Sequence, residues 1–325
     1  MADWMQRKIR PMLAMLARAP FDSPEWLFEL KWDGVRVIAF VAGGKVRLQS
    51  RNLREVTSQY VEIAELGQLV QAREAILDGE VVSLREGKPS FEQLQRRMHV
   101  AAPSPRLLAS APVEGIFFDL LYVDGEPLVG LPLTARQERL AAVLAEGAAV
   151  HRSQVVDSYG VSYFRAVQQM GLEGIVGKRK ASSYQMGRRS PDWQKIKAIS
   201  TQYCVVGGYT LGTGSISGLL GALRLGVYEG GDLRYVGKVG TGFTVRQRAE
   251  ILELLRPLVT RQSPFVTDPH IKGIVFVAPS YVVEVTYLEW TREGKLRHTS
   301  FRGFRPDAAP ADCVREDVAQ AAGPA

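Results

Sequence analysis

Period-two alternation is the first readable signal in the chain. In WLFELKW (26–32), Trp26, Phe28, Leu30 and Trp32 alternate with Leu27, Glu29 and Lys31. That pattern predicts a strand with an aromatic face and a charged face. VRVIAFV (35–41), the pair Gly43-Gly44 and KVRLQSR (45–51) predict a hairpin with a two-glycine turn. AILDGEVVSL (75–84), GIFFDLLYV (115–123) and the short EGIVGK (173–178) read as further strands, with helices expected over 55–73, 90–98, 134–146 and 162–170. Antiparallel sheets flanked by helices, without a strict βαβ rhythm, give the fold class α+β.

Near residue 199 the texture changes. QYCVVGGY (202–209), GLLGALRLGVY (218–228), LRYVGKV (233–239), YVVEVTYLEW (281–290) and KLRHTSF (295–301) are strand-like and rich in glycine. A single helix is expected from Thr244, with Gln247 completing a capping box, to about Leu255 before Pro257. Five strands and one helix in about a hundred residues predict an OB-fold β-barrel domain. The expected organisation is therefore a first domain over 1–198, the OB-fold domain over 199–310 and a flexible tail over 311–325.

Composition narrows the classes. Hydrophobic residues make up 46% of the 325 and charged residues 23%, which excludes a wholly disordered chain. No run of eighteen apolar residues exists, so no membrane span is expected, and the basic N-terminus does not read as a secretory signal. Two cysteines, Cys204 and Cys313, cannot supply a four-cysteine zinc site and point to a reducing cytoplasm. The four histidines (His99, His151, His270, His298) share no ligand spacing. Net charge is +7, and residues 178–197 carry seven basic side chains against Asp192 alone. Such a cluster suggests a polyanion partner, nucleotide phosphate or nucleic acid backbone; a solvated basic face is the competing reading.

The candidate chemistry centres on Glu29-Leu30-Lys31-Trp32-Asp33-Gly34-Val35-Arg36. If the strand runs through residue 33, Glu29, Lys31 and Asp33 share one face. A lysine amine attacks only when deprotonated, and neighbouring carboxylates oppose deprotonation, so a nucleophilic role needs burial, nearby cations or a metal. The alternative is a surface lysine paired with Glu29 or Asp33. Further groups follow in order: Ser50-Arg51-Asn52, Leu77-Asp78-Gly79-Glu80, Phe117-Phe118-Asp119, Glu173 to Lys178, Trp193 to Lys197, and Phe301 to Arg305.

This order and spacing resembles the covalent nucleotidyltransferases, specifically the ATP-dependent DNA ligases. The Lys-x-Asp-Gly element alone is too short to be distinctive; six ordered matches across 29–305 are distinctive. GRRSPDWQKIK (187–197) and RHTSFRGFRPD (297–307) are similar to the ligase module of the bacterial end-joining ligases. The resemblance implies that module alone, without room for polymerase or phosphoesterase modules. It implies an adenylation (nucleotidyltransferase) domain followed by the OB-fold domain. Lys31 would take AMP as a phosphoramidate, Glu29 would contact the adenine side, and Phe118 would stack on adenine. Glu80 would bind ribose or assist a metal, and Glu173 would hold Mg²⁺ or Mn²⁺. Arg36 and Arg51 would meet sugar and phosphate; Lys178, Arg189, Lys195 and Lys197 would hold the triphosphate; Arg302 and Arg305 would orient pyrophosphate. Ala308 stands where relatives often carry lysine, which implies weaker activation of ATP.

The activity so implied is ATP-dependent sealing of 5′-phosphate/3′-hydroxyl nicks or ends through lysyl-AMP and DNA-adenylate, in double-strand break repair. The second domain would swing about 197–201 and meet the duplex mainly through phosphates. The implied partners are nicked or broken duplex DNA and a Ku-like end-binding protein, with the enzyme a monomer. Four other readings stay open. An NAD-dependent ligase would normally bring a zinc-binding cysteine cluster. A capping-type guanylyltransferase would use GTP, and an RNA ligase usually lacks the Phe301–Arg305 element. A non-catalytic OB-type nucleic-acid binder would leave Lys31, Glu80, Glu173 and Lys195 unexplained.

Overall fold

Two mostly antiparallel sheets face each other in the first of two units into which the chain separates, one running to Ile199 and the other Ser200–Glu316. The computed structural model describes residues 3–98, 100–266 and 273–316. His99, His270 and the expected tail beyond Glu316 lie outside the described residues.

The first unit contains β1 (Leu13–Leu16), β2 (Trp26–Leu30), β3 (Val35–Ala42), β4 (Lys45–Ser50), β5 (Glu74–Val82), β6 (Glu114–Val123), β7 (Val150–Arg152), β8 (Val155–Asp157), β9 (Gly174–Arg179) and β10 (Arg189–Lys197). Helices α1 (Leu133–Val143) and α2 (Gly160–Gln169) flank them. One sheet has the order β1-β10-β9-β2-β8, the other β7-β6-β5-β3-β4. Gly43 and Gly44, at φ 53° and 75°, make the β3–β4 turn that only glycine adopts without strain.

Alternation decides which face does what. In the first sheet Phe28, Ile175 and Ile196 point to one side and pack with Val167 of α2. Glu29, Val176 and Lys195 are cross-strand neighbours, as are Leu27, Lys178 and Trp193, so these six share the opposite face. In the second sheet Val37, Ala39, Leu77 and Phe117 form the large core, while Ile38, Phe40, Ile76 and Phe118 point the other way. Trp193 joins this latter cluster and meets Phe118 edge-on, ring centroids 6.2 Å apart. The charged face of the first sheet therefore looks onto the second sheet.

The second unit contains β11 (Thr201–Leu211), β12 (Leu220–Glu229), β13 (Asp232–Val239), α3 (Val245–Leu255), β14 (Ile274–Val277), β15 (Val282–Thr286) and β16 (Ser300–Phe304). The order β13-β12-β11-β14 branches at β11, whose first half pairs with β15, itself paired with β16. This is an OB-fold unit, but among the described residues its strands do not close into a hydrogen-bonded ring, so the expected barrel is an open, branched sheet.

Thr244 caps α3 as its sequence predicts: its hydroxyl accepts the Gln247 N–H, and Gln247 Oε1 accepts the Thr244 N–H. Replacing Thr244 by Ala is expected to destabilise the second unit by about 1 kcal/mol. Chemical denaturation of the intact protein checks this, and an unchanged transition would count against it.

Three expectations are corrected. Residues 55–73 form two 3-10 turns (Thr57–Gln59, Val61–Glu65) and a short helix Leu66–Leu69 instead of one long helix. The hydroxyl of Thr57 is taken by the Leu48 N–H, and a Cβ on Gly67 would sit 2.0 Å from the Gly44 carbonyl, so tertiary contacts override helical spacing. Strand β2 stops at Leu30, so Asp33 does not extend the face of Glu29 and Lys31. The segment just past Pro310 is docked: the Tyr228 N–H donates to the Cys313 carbonyl at 2.7 Å, and Gln202 Nε2 donates to that of Val314 at 2.9 Å. Among the described residues no helix is long and apolar enough to cross a membrane.

Candidate active site

Lys31 stands one residue past β2. Its N–H donates to the Gly174 carbonyl at 2.9 Å, so the chain stays joined to β9 as it leaves the sheet. Its Nζ donates to Glu173 Oε1 at 2.6 Å, with the lysine side chain 22% exposed and the glutamate 5%. The turn that follows lies on β5: a Cβ on Gly34 would fall 2.3 Å from the Val81 carbonyl and 2.8 Å from Glu80 Cγ. Only glycine permits that approach, and it carries Glu80 to the turn behind Lys31.

Deeper between the sheets, Lys178 Nζ donates to Glu29 Oε1 at 2.8 Å, both side chains being buried. Burial pushes the Lys178 ammonium pKa down, against the pull of Glu29. The same Nζ lies 4.0 Å from the centre of the Phe118 ring and 4.6 Å from that of Trp193. Arg36 grips Asp78 with two bonds of 2.6 Å and also covers Phe118 at 4.6 Å. Burial works against the Arg36 charge, but Asp78 outweighs it, and the guanidinium pKa is raised. Tyr184 adds a third bond to Asp78, its hydroxyl donating to Oδ2 at 2.5 Å. Phe118 is thus a core ring covered by two cations, held there by cation–π attraction.

The remaining candidates divide. Glu80 lies opposite Arg36 in register. Lys195 and Lys197 lie opposite Val176 and Gly174, on the face that carries Glu29 and Lys178. Arg51 is half-buried in the turn after β4. Arg189 sits at the far end of β10, about 20 Å from Lys195 at the usual rise per strand residue, its Nη1 on the Ala14 carbonyl. The structure does not bring Arg189 to the Lys31 group. In the second unit Arg302 is half-buried on β16. Arg305 is buried with both arms on Asp307 (2.8 and 3.0 Å) and Glu284 at 3.5 Å. Arg305 thus braces β15 against the segment after β16.

Four residues outside the expected set complete this region. Asp78 was legible, since Asp78 and Glu80 share a face by alternation; Tyr184 was not. Asp119 and Arg136 form a fully buried bidentate pair at 2.7 and 2.8 Å. Nothing local in the sequence links α1 to β6.

Glu80 and Glu173 are hard oxygen donors. Mg²⁺ binds through one or two carboxylates plus substrate phosphates, so this donor set fits it. Among the described residues no cluster of three or more His, Cys, Asp or Glu forms a metal cage.

A second basic region lies where the N-terminal segment crosses the start of β10. Ile9 and Met12 are buried, while Lys8 and Arg10 face solvent. The Gly187 N–H donates to the Arg10 carbonyl at 2.8 Å, which sets exposed Arg188 and Arg189 beside them. Among the described residues, none of these four cations forms an ion pair.

A two-sheet unit followed by an OB-fold unit is the architecture of the nucleotidyltransferases that carry an OB-fold domain. The family described as "ATP dependent DNA ligase domain" matches residues 11–197, and "ATP dependent DNA ligase C terminal region" matches 217–308. The chain belongs to the ATP-dependent DNA ligase family. It is 39% identical over 313 residues to the multifunctional non-homologous end joining DNA repair protein LigD of Mycobacterium tuberculosis, covering 95% of this chain and 40% of that protein. It is 32% identical to DNA ligase C of the same species, covering 94% of this chain and 92% of that one. A solved mycobacterial DNA ligase D, complexed with ATP and MES, superposes with a TM-score of 0.66 at 37% identity over 97% of this chain and 100% of that chain. The chain thus spans about two-fifths of the length of the LigD protein it matches.

Proposed function

We propose that this chain seals 5′-phosphate/3′-hydroxyl breaks in duplex DNA at the expense of ATP, with Lys31 as the nucleophile. The observation that carries this is the Lys31–Glu173 contact of 2.6 Å beside a sheet face bearing Lys178, Lys195 and Lys197. Lys31 Nζ, once deprotonated, attacks the α-phosphorus of ATP; the N–P bond forms, the bond to the β-phosphate oxygen breaks, and pyrophosphate leaves. A DNA 5′-phosphate oxygen then displaces Lys31 from AMP, and the 3′-hydroxyl displaces AMP as the phosphodiester forms. Lys195 and Lys197 neutralise the triphosphate, which is where phosphoryl transfer gains most from fixed cations. Glu173 holds the amine in place before attack. Glu80 and Glu173 would hold Mg²⁺ or Mn²⁺, which when bound supplies charge neutralisation on phosphate oxygens. Arg302 is the second unit's cation for the leaving pyrophosphate, and Arg51 a contact for the DNA 5′-phosphate.

The direct test is incubation with α-labelled ATP and metal, followed by denaturing electrophoresis and a chase with nicked duplex. Label that enters the protein, resists denaturation and moves to DNA supports the reading. Label from GTP in preference to ATP, or none at all, overturns it.

The exposed group Lys8, Arg10, Arg188 and Arg189 is proposed to lie on the DNA backbone. Changing all four to Gln is expected to leave lysyl-AMP formation unchanged and to lower the slope of log affinity against log salt by about 0.9 per lost phosphate contact. An unaltered slope would remove this surface from the DNA path. By likeness to the LigD proteins we place the activity in double-strand break repair, acting as a monomer beside a Ku-like end-binding protein. Ligation of broken ends with and without such a partner tests that assignment.

A further inference from the structure

Glu29 is a buried carboxylate, 2% exposed, and its two oxygens are treated differently. Oε1 accepts from Lys178 Nζ at 2.8 Å and from Gln137 Nε2 at 3.0 Å. Among the described residues Oε2 receives no hydrogen bond. The two donors come from separate elements, β9 and α1, and both hold the same oxygen, Oε1. Gln137 is itself held firmly. The preceding residue, Arg136, is fully buried, and besides Asp119 it donates to the carbonyls of Leu131 (2.6 Å) and Ser182 (2.8 Å). The Thr134 N–H meets the Lys180 carbonyl at 3.3 Å, which ties the start of α1 to the end of β9. A rotamer-rich amide on a pinned helix costs less entropy to aim than one on a loop.

We propose that Gln137 is a positioning residue for base selection: by sharing Glu29 Oε1 with Lys178 it turns Oε2 toward the purine, where it accepts from an exocyclic 6-amino group. This rests on the reading of Glu29 as the contact on the adenine side. A carboxylate oxygen is an acceptor only, so it accepts from the 6-amino group of adenine and repels the 6-oxo group of guanine. A site built around a substrate N–H rejects the analogue lacking it, because a buried acceptor is then left unpaired. Lys178 alone does not serve, since its three donors rotate and its Nζ also rests on Phe118. The planar amide of Gln137 supplies the direction.

The test uses the full chain and measures lysyl-nucleotide formation without DNA. ATP, GTP and the triphosphate of unsubstituted purine riboside, which lacks the 6-amino group, are compared for the parent, Gln137→Leu and Gln137→Glu. The parent is expected to prefer ATP over the purine analogue by about tenfold or more in kcat/KM. Gln137→Leu is expected to raise KM for ATP with kcat nearly kept, and to reduce that preference to about two- or threefold. Gln137→Glu sets a second carboxylate against Glu29 and is expected to lose the preference altogether. Thermal melts of each variant separate misfolding from misaiming, and Gln137→Leu serves where Gln137→Glu fails to fold. Equal losses for ATP and the analogue, with the parent's preference intact, would overturn the positioning role. A parent indifferent to the 6-amino group would overturn the Glu29 contact, while label on Lys31 would still support the ligase reading.

Discussion

Lys31→Ala is expected to abolish labelling from α-labelled ATP, a loss of at least about a thousandfold, because in the proposed reaction its amine carries the covalent intermediate. Lys31→Arg is expected to fail equally, since a guanidinium keeps its proton at any working pH and cannot attack. The label on the parent should be released by acid and survive mild alkali, as a phosphoramidate does and a phosphate ester on serine does not. Both variants should keep their melting temperature to within a few degrees, because the Lys31 side chain is partly exposed and stands outside the sheet. Sealing of a nick already carrying AMP on its 5′-phosphate does not need the covalent step, so the variants are expected to retain part of it. Equal label on parent and variant would place the nucleophile elsewhere. Loss of pre-adenylated sealing equal to the loss of labelling would show that the substitution damages the cleft as a whole.

What was legible in the sequence follows from the range of the interactions. Strand β2 announces itself by alternation, and β3 and β6 by short apolar runs buried on both faces, signals that are all local. The capping box of Thr244 and Gln247 is a four-residue device and is equally plain. Contacts between distant segments leave no such trace. Arg36 reads as a phosphate ligand until Asp78, forty-two residues on, is seen to occupy its guanidinium. Arg305 reads the same way, and the fold sets Asp307 and Glu284 around it. A basic residue in a motif tells its charge but not whether the fold has already spent that charge. Residues 55–73 fail for a related reason, since the backbone approach of Gly44 to Gly67 outweighs helical spacing. The open OB-fold sheet depends on which strand edges meet, and strand count alone does not determine that.

The largest expected effect on stability lies away from the nucleophile, at Arg136. Its guanidinium and Asp119 are both fully buried, joined by two bonds, with two backbone carbonyls taking up the Arg136 Nη1 group. Such a pair adds little over a well-packed apolar one, but removing one partner strands the other as an uncompensated charge. Arg136→Met, which keeps much of the volume, is expected to destabilise the first unit by about 3–5 kcal/mol. Asp119 already has its pKa raised by burial, with Arg136 opposing that rise. In Arg136→Met the opposition is gone, so the folded-state pKa of Asp119 climbs further above its unfolded value. A carboxyl raised in this way favours folding below its unfolded pKa and disfavours it as pH rises through the folded value. The loss should therefore be smaller near pH 5 than near pH 8, and Arg136→Met with Asp119→Asn should recover part of the stability at pH 8. Thermal melts across that range check both. A pH-independent loss, or a double variant no better than the single, would show that Arg136 acts through the carbonyls of Leu131 and Ser182 rather than through Asp119. In that case the anchoring of Gln137 would rest on the backbone alone.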